Sequence, residues 1–281
     1  MSATFDSDLI WHFTSVNSLY PILHDGLLAT HQAFMNDTSD CILCRRVALV
    51  LAEIMEYMIY VPENELPVKY RNIISGLRAG TQHSIFLACF SAVVENPLLW
   101  RCYTSQGGFA IGVSRTALKD NLDHTKMHLD AFRFGDCIYD DWANVKQMVD
   151  AFEAITARQC VRLKSAKCTP EERAKIFVNV FKRSLTLERK LAFYKDPFFK
   201  GELEVRIMYA FNDAVPISDL QFLSGKPRIL IPFKVAFSSL IKRIVVSPFG
   251  DKESNFKLAQ LFAASIGLPL ANVSIFEAPV R

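Results

Sequence analysis

The sequence predicts an α+β fold. Strand-like and helix-like segments do not alternate regularly, so a doubly wound sheet is excluded. The segments "HSIFLACFS" (83–91) and "GFAIGVS" (108–114) have the apolar composition of fully buried strands. A continuous helical pattern fills 142–195 and looks like an insertion into a single domain over 1–281. With 51% hydrophobic residues the chain can bury a substantial core.

Along the chain, "DLIWHFTS" (8–15) reads as a strand and "VNSLYPILHDG" as an amphipathic helix ended by Gly26. Residues 41–60 have helical periodicity, with Ser39 or Asp40 of "FMNDTSD" (34–40) as N-cap. "AFRFGDCIY" (131–139) alternates like a half-buried strand. The 142–195 block divides at "KCTPEER", where Thr169-Pro170 supplies an N-cap and a proline at the first helical position. Strands return at 202–209, 229–233 and 241–248; a helix at 251–266 and a strand in "NVSIFEAPV" close the chain.

The bulk properties exclude several classes. A net charge of +3 identifies no partner. Seven cysteines include one CxxC, Cys41 and Cys44, without the second pair of a zinc ribbon, so reduced thiols and no metal are expected. "MSATFDSD" lacks the basic and apolar regions of a signal peptide. The longest apolar run (47–61) is interrupted by Glu53 and Glu56, so a soluble, cytoplasmic protein is expected. GxGxxG, Walker, HExxH and GxSxG motifs are absent.

Charge is uneven. Residues 158–195 hold eleven Lys/Arg against three Glu, a net of +8 that leaves −5 elsewhere. Such a run is either a solvated helix face or a polyanion surface, with Lys182, Arg183, Arg189 and Lys190 as its nucleic-acid-binding candidates. Phe193 and Tyr194 are the aromatics beside it read as candidates to stack on bases.

Candidate chemistry centres on "GELEVRIMY". Period two places Glu202, Glu204, Arg206 and Met208 on one face, an exposed groove or a surface ladder of Glu–Arg pairs. A carboxylate beside an arginine stays ionised, fit to stabilise a cation or accept a proton. His12 and Thr14 share a face of the first strand. Cys89, in an apolar strand, reads as an inert thiol. In "LWRCYTSQGGFAIGVS" (99–114) the aromatics and the glycine pair serve either packing or a pocket for a flat ligand.

Taken in order, "IWHFTSVNSLYPILHDGLL", "FMNDTSD", "LACFSAVVENPLLWRCYTSQGGFAIGVS", "GELEVRI" and "VSIFEAPVR" resemble the bacterial DUF2971 family, outside the 142–195 block. Phe13, Met35 and Asp40 depart from the family's tyrosine, phenylalanine and glutamate. The resemblance implies a split antiparallel sheet of ADP-ribosyltransferase type with NAD in its cleft. It makes Glu204 catalytic, and it makes His12, Thr14, Phe90, Ser91 and Tyr103 the NAD-binding residues. Trp100 would support the helix and Gly107–Gly108 would give turn and clearance. Asn36 and Asp37 are a family signature that either fixes the loop roofing the cleft or caps a helix, and Arg206 orients Glu204, binds phosphate or only pairs with the carboxylate. Aromatic faces suit the nicotinamide cation, and a fixed carboxylate suits the positive charge that develops at the ribose.

The function implied is an NAD-dependent ADP-ribosyltransferase, a toxin or defence effector whose acceptor is a nucleic acid (RNA or DNA) or, as the second choice, a protein. A neutralising antitoxin is a possible partner and no membrane is expected. The alternatives are an NAD glycohydrolase and a non-catalytic module that binds nucleic acid through the basic helices.

Overall fold

The computed structural model describes residues 8–35, 38–59, 68, 84–123, 131–165, 167–211 and 219–277. Its strands are β1 (Leu9–Ser15), β2 (Leu28–His31), β3 (Ser84–Ser91), β4 (Gly108–Ser114), β5 (Ala131–Asp136), β6 (Glu204–Phe211), β7 (Leu220–Leu223), β8 (Lys226–Leu230), β9 (Ile241–Val246) and β10 (Val273–Ile275). The helices are α1 (Val16–His24), α2 (Thr38–Ile59), α3 (Pro97–Thr104), α4 (Arg115–Asn121), α5 (Trp142–Lys164), α6 (Pro170–Leu191) and α7 (Lys252–Ser265). The sheet is antiparallel except where β10 runs parallel to β9.

The sheet divides at β3. One edge of β3 is paired along its whole length with β6, from Ser84↔Phe211 to Ser91↔Glu204. The other edge is shared: β1 meets it at Trp11↔Ser91, and β2 at Thr30↔Leu87 and His31↔Phe86. From this junction β1 continues into β4, β9 and β10, while β2 continues into β8 and β7. Between the two contacts the strands diverge, leaving backbone groups of β3 without a ladder partner. A buried carbonyl needs a donor, and His12 Nδ1 supplies one to the Cys89 oxygen at 3.0 Å.

Local signals account for the elements around this junction. Asn96 caps α3 by accepting from the Leu98 and Leu99 N–H groups, with Pro97 at the first turn. Thr169 and Glu172 form a reciprocal capping box at the start of α6, again ahead of proline. Helix α2 starts at Thr38, so Ser39 and Asp40 lie inside its first turn rather than at its N-cap. Gly108 is required where the chain enters β4: a Cβ there would lie 2.3 Å from the Thr14 carbonyl oxygen. Gly107 adopts φ +101°, the positive region that glycine occupies without strain.

Two apolar layers hold these parts together. Phe86, Ala88, Phe90, Val205, Ile207 and Tyr209 bury one sheet face against α1, α7 and the core of β4 and β9. The helical layer is built from three helices. Helix α2 packs on α5 and α6 through Val47, Ile54, Val145, Leu163 and Phe177, so the 142–191 helices are joined by a segment distant in sequence. Each fully buried Leu, Ile or Phe contributes about 1.5–3 kcal/mol to such a layer.

Strand β6 is buried on both faces from Glu204 to Phe211, which overturns the expected exposed ladder. One face meets the main core. The other lies beneath Ala192 and Phe193, which follow α6. The alternation also begins later than expected. Glu202 belongs to a 3-10 turn, and Leu203 adopts φ 43° in the left-handed region. No helix among the described residues is long and apolar enough to cross a membrane.

Candidate functional site

A cavity of about 680 Å³ opens where β1 and β2 part. That volume lies in the range of ordinary small-molecule sites. Six of the expected site residues line it: His12 and Thr14 from β1, Phe90 and Ser91 from β3, Tyr103 from α3, and Glu204 from β6. Met35, Cys89, Glu202 and Arg228 line it as well.

His12 has its ring orientation set by the split sheet. A carbonyl only accepts, so the Nδ1–H donates to Cys89 and Nε2 keeps its lone pair. Burial lowers the pKa below the usual 6.5, the Cys89 carbonyl opposes that, and nearby Arg228 lowers it further. The imidazole is therefore neutral at pH 7, with an acceptor nitrogen for a ligand hydroxyl.

Glu204 lies at the center of an ion cluster. Its Oε1 accepts from Arg206 Nε at 2.7 Å, and its Oε2 accepts from Lys195 Nζ at 2.7 Å and from the second Arg206 nitrogen at 3.1 Å. Burial alone would raise its pKa. The Arg206 and Lys195 cations outweigh burial, and a hydrogen bond from the Cys89 thiol adds to them, holding it at about 2. Tyr139 Oη accepts from the Glu204 backbone N–H at 2.9 Å, pinning the start of the strand. Glu204 is ionised throughout the physiological range, and its lone pairs are largely engaged.

Arg206 is not a cavity wall. It is 1% exposed, donates to the Ala192 carbonyl at 2.7 Å and orients Glu204 from behind. A phosphate contact by Arg206 is excluded by that burial. Lys195, in sequence only one member of a basic run, joins the candidate site through the fold. It is 4% exposed and bridges Glu202 Oε2 at 2.6 Å and Glu204 Oε2 at 2.7 Å. Its one legible signal is a lone lysine closing the apolar run Leu191–Tyr194.

The aromatic candidates differ from one another. Tyr103 is 42% exposed at the cavity mouth, so a ring face is open to stacking. Burial of its hydroxyl end raises its pKa, as do the nearby Cys89 and Glu204, so the phenol stays neutral. Phe90 is 3% exposed; it belongs to the main core and sits 5.6 Å from the His12 ring, bounding the cavity without offering an open face. Trp100 is fully buried, donates to the Val94 carbonyl and packs edge-on against Phe13, which fixes α3.

The Ser91 hydroxyl is committed to the backbone, within 2.8 Å of the Val93 carbonyl and 2.7 Å of the Glu202 carbonyl, while accepting from the Val93 N–H. Ser91 therefore shapes the cavity and is not available to hold an amide. The clearance at Gly108 goes to the Thr14 backbone and the Thr104 side chain, and neither Gly107 nor Gly108 lines the cavity. Cys89 behaves as the sequence suggests: burial first, then the Glu204 charge, push its thiol well above the ordinary value, so it is protonated. Asn36 and Asp37 lie outside the described residues.

The basic candidates occupy α6 away from the cavity. Lys182, Arg183 and Lys190 are exposed and Arg189 is half-buried. Phe193 is fully buried beneath the Arg133 guanidinium, 4.2 Å from its ring centroid, so it cannot stack on a base. Among the described residues no group of three or more His, Cys, Asp or Glu could hold a metal.

Residues 99–207 match the family model for DUF2971, a protein of unknown function. The matched stretch begins in α3, runs through the helical block that the sequence reading had left outside it, and ends within β6. It therefore contains Tyr103, Lys195, Glu204 and Arg206. No curated protein and no solved structure matches the chain.

Proposed function

We propose that this DUF2971 protein is an NAD-dependent ADP-ribosyltransferase, acting as a toxin or defence effector on a nucleic-acid acceptor. One observation carries the reading. A single cavity gathers an acceptor imidazole (His12), an open aromatic face (Tyr103) and an ionised carboxylate (Glu204) from three elements distant in sequence.

In this reading His12 Nε2 accepts a ribose hydroxyl and Tyr103 stacks on the nicotinamide cation. Glu204 then stabilises the positive charge that grows on the ribose as the bond from C1′ to the nicotinamide nitrogen breaks. The bonding pair leaves with that nitrogen, which becomes neutral. An acceptor heteroatom bonds to C1′ and loses its proton to solvent. For Glu204 to accept a ribose hydroxyl as well, Lys195 must give up one contact. Glu202 lets it do so, because at 2.6 Å it keeps the ammonium paired.

The exposed cations of α6 support a polyanionic acceptor, since Lys182, Arg183 and Lys190 share a solvent-facing side of the helix. One observation favours a second reading, a non-catalytic module that binds nucleic acid: the carboxylate of Glu204 is already held by two cations and a thiol.

The test incubates the purified full chain with labelled NAD and a cell lysate and then separates RNA, DNA and protein. Label in a nuclease-sensitive fraction, lost in Glu204→Gln while that variant still melts cooperatively, is the expected result. Label in protein moves the acceptor class, and free ADP-ribose with no labelled macromolecule makes the enzyme a glycohydrolase. Undiminished transfer in Glu204→Gln removes the catalytic assignment, and no NAD consumption by the wild type leaves the binding module.

A further inference from the structure

At the end of the cavity away from Glu204 stands a cation without a counter-charge among the described residues. Arg228, on β8, lines the cavity, and its Nε is buried with no acceptor. No hydrogen bond or ion pair with another described residue holds its guanidinium. Burial depresses its pKa, and its charge in turn lowers that of His12. A buried polar group left unsatisfied is costly, so an arginine kept in this state is accounted for by a partner that the described residues do not provide.

The neighbouring residues make a polar shelf. Register places Gln221, Arg228 and Thr30 side by side across β7, β8 and β2, followed by Leu87 on β3, and all four line the cavity. Lys226, two residues along the same face of β8, lines it too. The acidic lining groups lie elsewhere. Glu202 and Glu204 are at the β6 end, and Asp25 is an exposed residue beside His24 at the end of α1.

Three strand spacings and four residues of rise separate the Glu204 and Arg228 Cα atoms, roughly 20 Å on ideal sheet geometry. A ligand that reaches from one to the other is therefore elongated, with its anion at the β8 end.

We infer that Arg228, flanked by Gln221, Thr30 and Lys226, forms a diphosphate subsite of this cavity, taking the pyrophosphate of a nucleoside diphosphate. The guanidinium fork matches two phosphate oxygens at once, which a lysine ammonium does not. The identity of the full ligand as NAD rests on the function proposed above, whereas anion capture by Arg228 does not.

The experiment is calorimetric titration of the purified full chain with ADP, inorganic pyrophosphate and adenosine, in the wild type, Arg228→Gln and Arg228→Lys. ADP is expected to bind at least tenfold more tightly than adenosine. Arg228→Gln removes that advantage while leaving adenosine binding unchanged, and Arg228→Lys restores part of it. Pyrophosphate binding as tightly as ADP assigns the subsite to the free anion and overturns the nucleotide part of the inference.

Thermal melting guards against a folding artefact. Removing an unpaired, half-buried charge leaves the melting temperature unchanged or raises it. A marked fall in melting temperature, or equal ADP affinity in wild type and Arg228→Gln, overturns the inference. Arg228-dependent ADP binding in a wild type that never consumes NAD would sink the proposed function alone. NAD consumption whose KM is indifferent to Arg228→Gln would sink the subsite alone.

Discussion

Replacing Glu204 with glutamine removes the one charge that Lys195 and Arg206 share. The carboxyl is held at about 2 in the folded protein against 4.5 for an ordinary glutamate. That difference corresponds to about 3 kcal/mol of folding free energy at pH 7. Breaking a buried pair by deleting one partner costs about 3–5 kcal/mol in general, in the same range. For a chain of this size the loss lowers the melting temperature by about 6–12 °C.

Because the folded value lies below the unfolded one, the contribution is complete above pH 4.5. It fades as pH falls toward 2 and is gone only below that, where both states are protonated. Urea unfolding of wild type and Glu204→Gln between pH 7 and pH 3 measures it. The gap in stability is expected to be widest at neutral pH and to narrow in acid. A variant within about 1 kcal/mol of wild type at pH 7, a difference expected only of exposed pairs, or a gap that widens in acid refutes the buried ion cluster.

Three further outcomes follow from the same contacts. Lys195→Met takes one cation from Glu204, so the carboxyl pKa rises and the acid limb of NAD consumption moves to higher pH; an unmoved limb in the rate profile denies the coupling. Gly108→Ala drives a methyl into the Thr14 carbonyl oxygen at 2.3 Å and is expected to cost more than about 2 kcal/mol in chemical denaturation, a typical overpacking penalty. Reversing Lys182, Arg183, Arg189 and Lys190 to glutamate is expected to abolish salt-sensitive RNA or DNA binding in a filter assay without touching the cavity. Retention of binding removes the basic face from the acceptor argument.

Much of the fold was legible in the chain because the signals are local. The cap at Thr169, the apolar runs of β3 and β4 and the Gly26 stop after α1 are each written within a few residues. Short elements escaped: β2 and β7 are four residues each, too brief for a periodic pattern, and depend on pairing with β3 and β8. Of the site, His12, Tyr103 and Glu204 were legible through family-like motifs, and Lys195 and Arg228 were not. Each of those two is a single basic residue in an ordinary context, and its meaning comes from partners far away in sequence.

By itself, then, the sequence determined the α+β class, the DUF2971 resemblance, most helix and strand positions and the residues eligible for chemistry. Only the tertiary structure decided that the Glu204 strand is covered on both faces, that Arg206 stands behind the site, that Ser91 is spent on its backbone and that Arg228 has no counter-ion among the described residues. The reason is physical. Periodicity and capping act within a turn or a strand, whereas the burial and charge balance of a side chain are set by whichever distant elements pack against it.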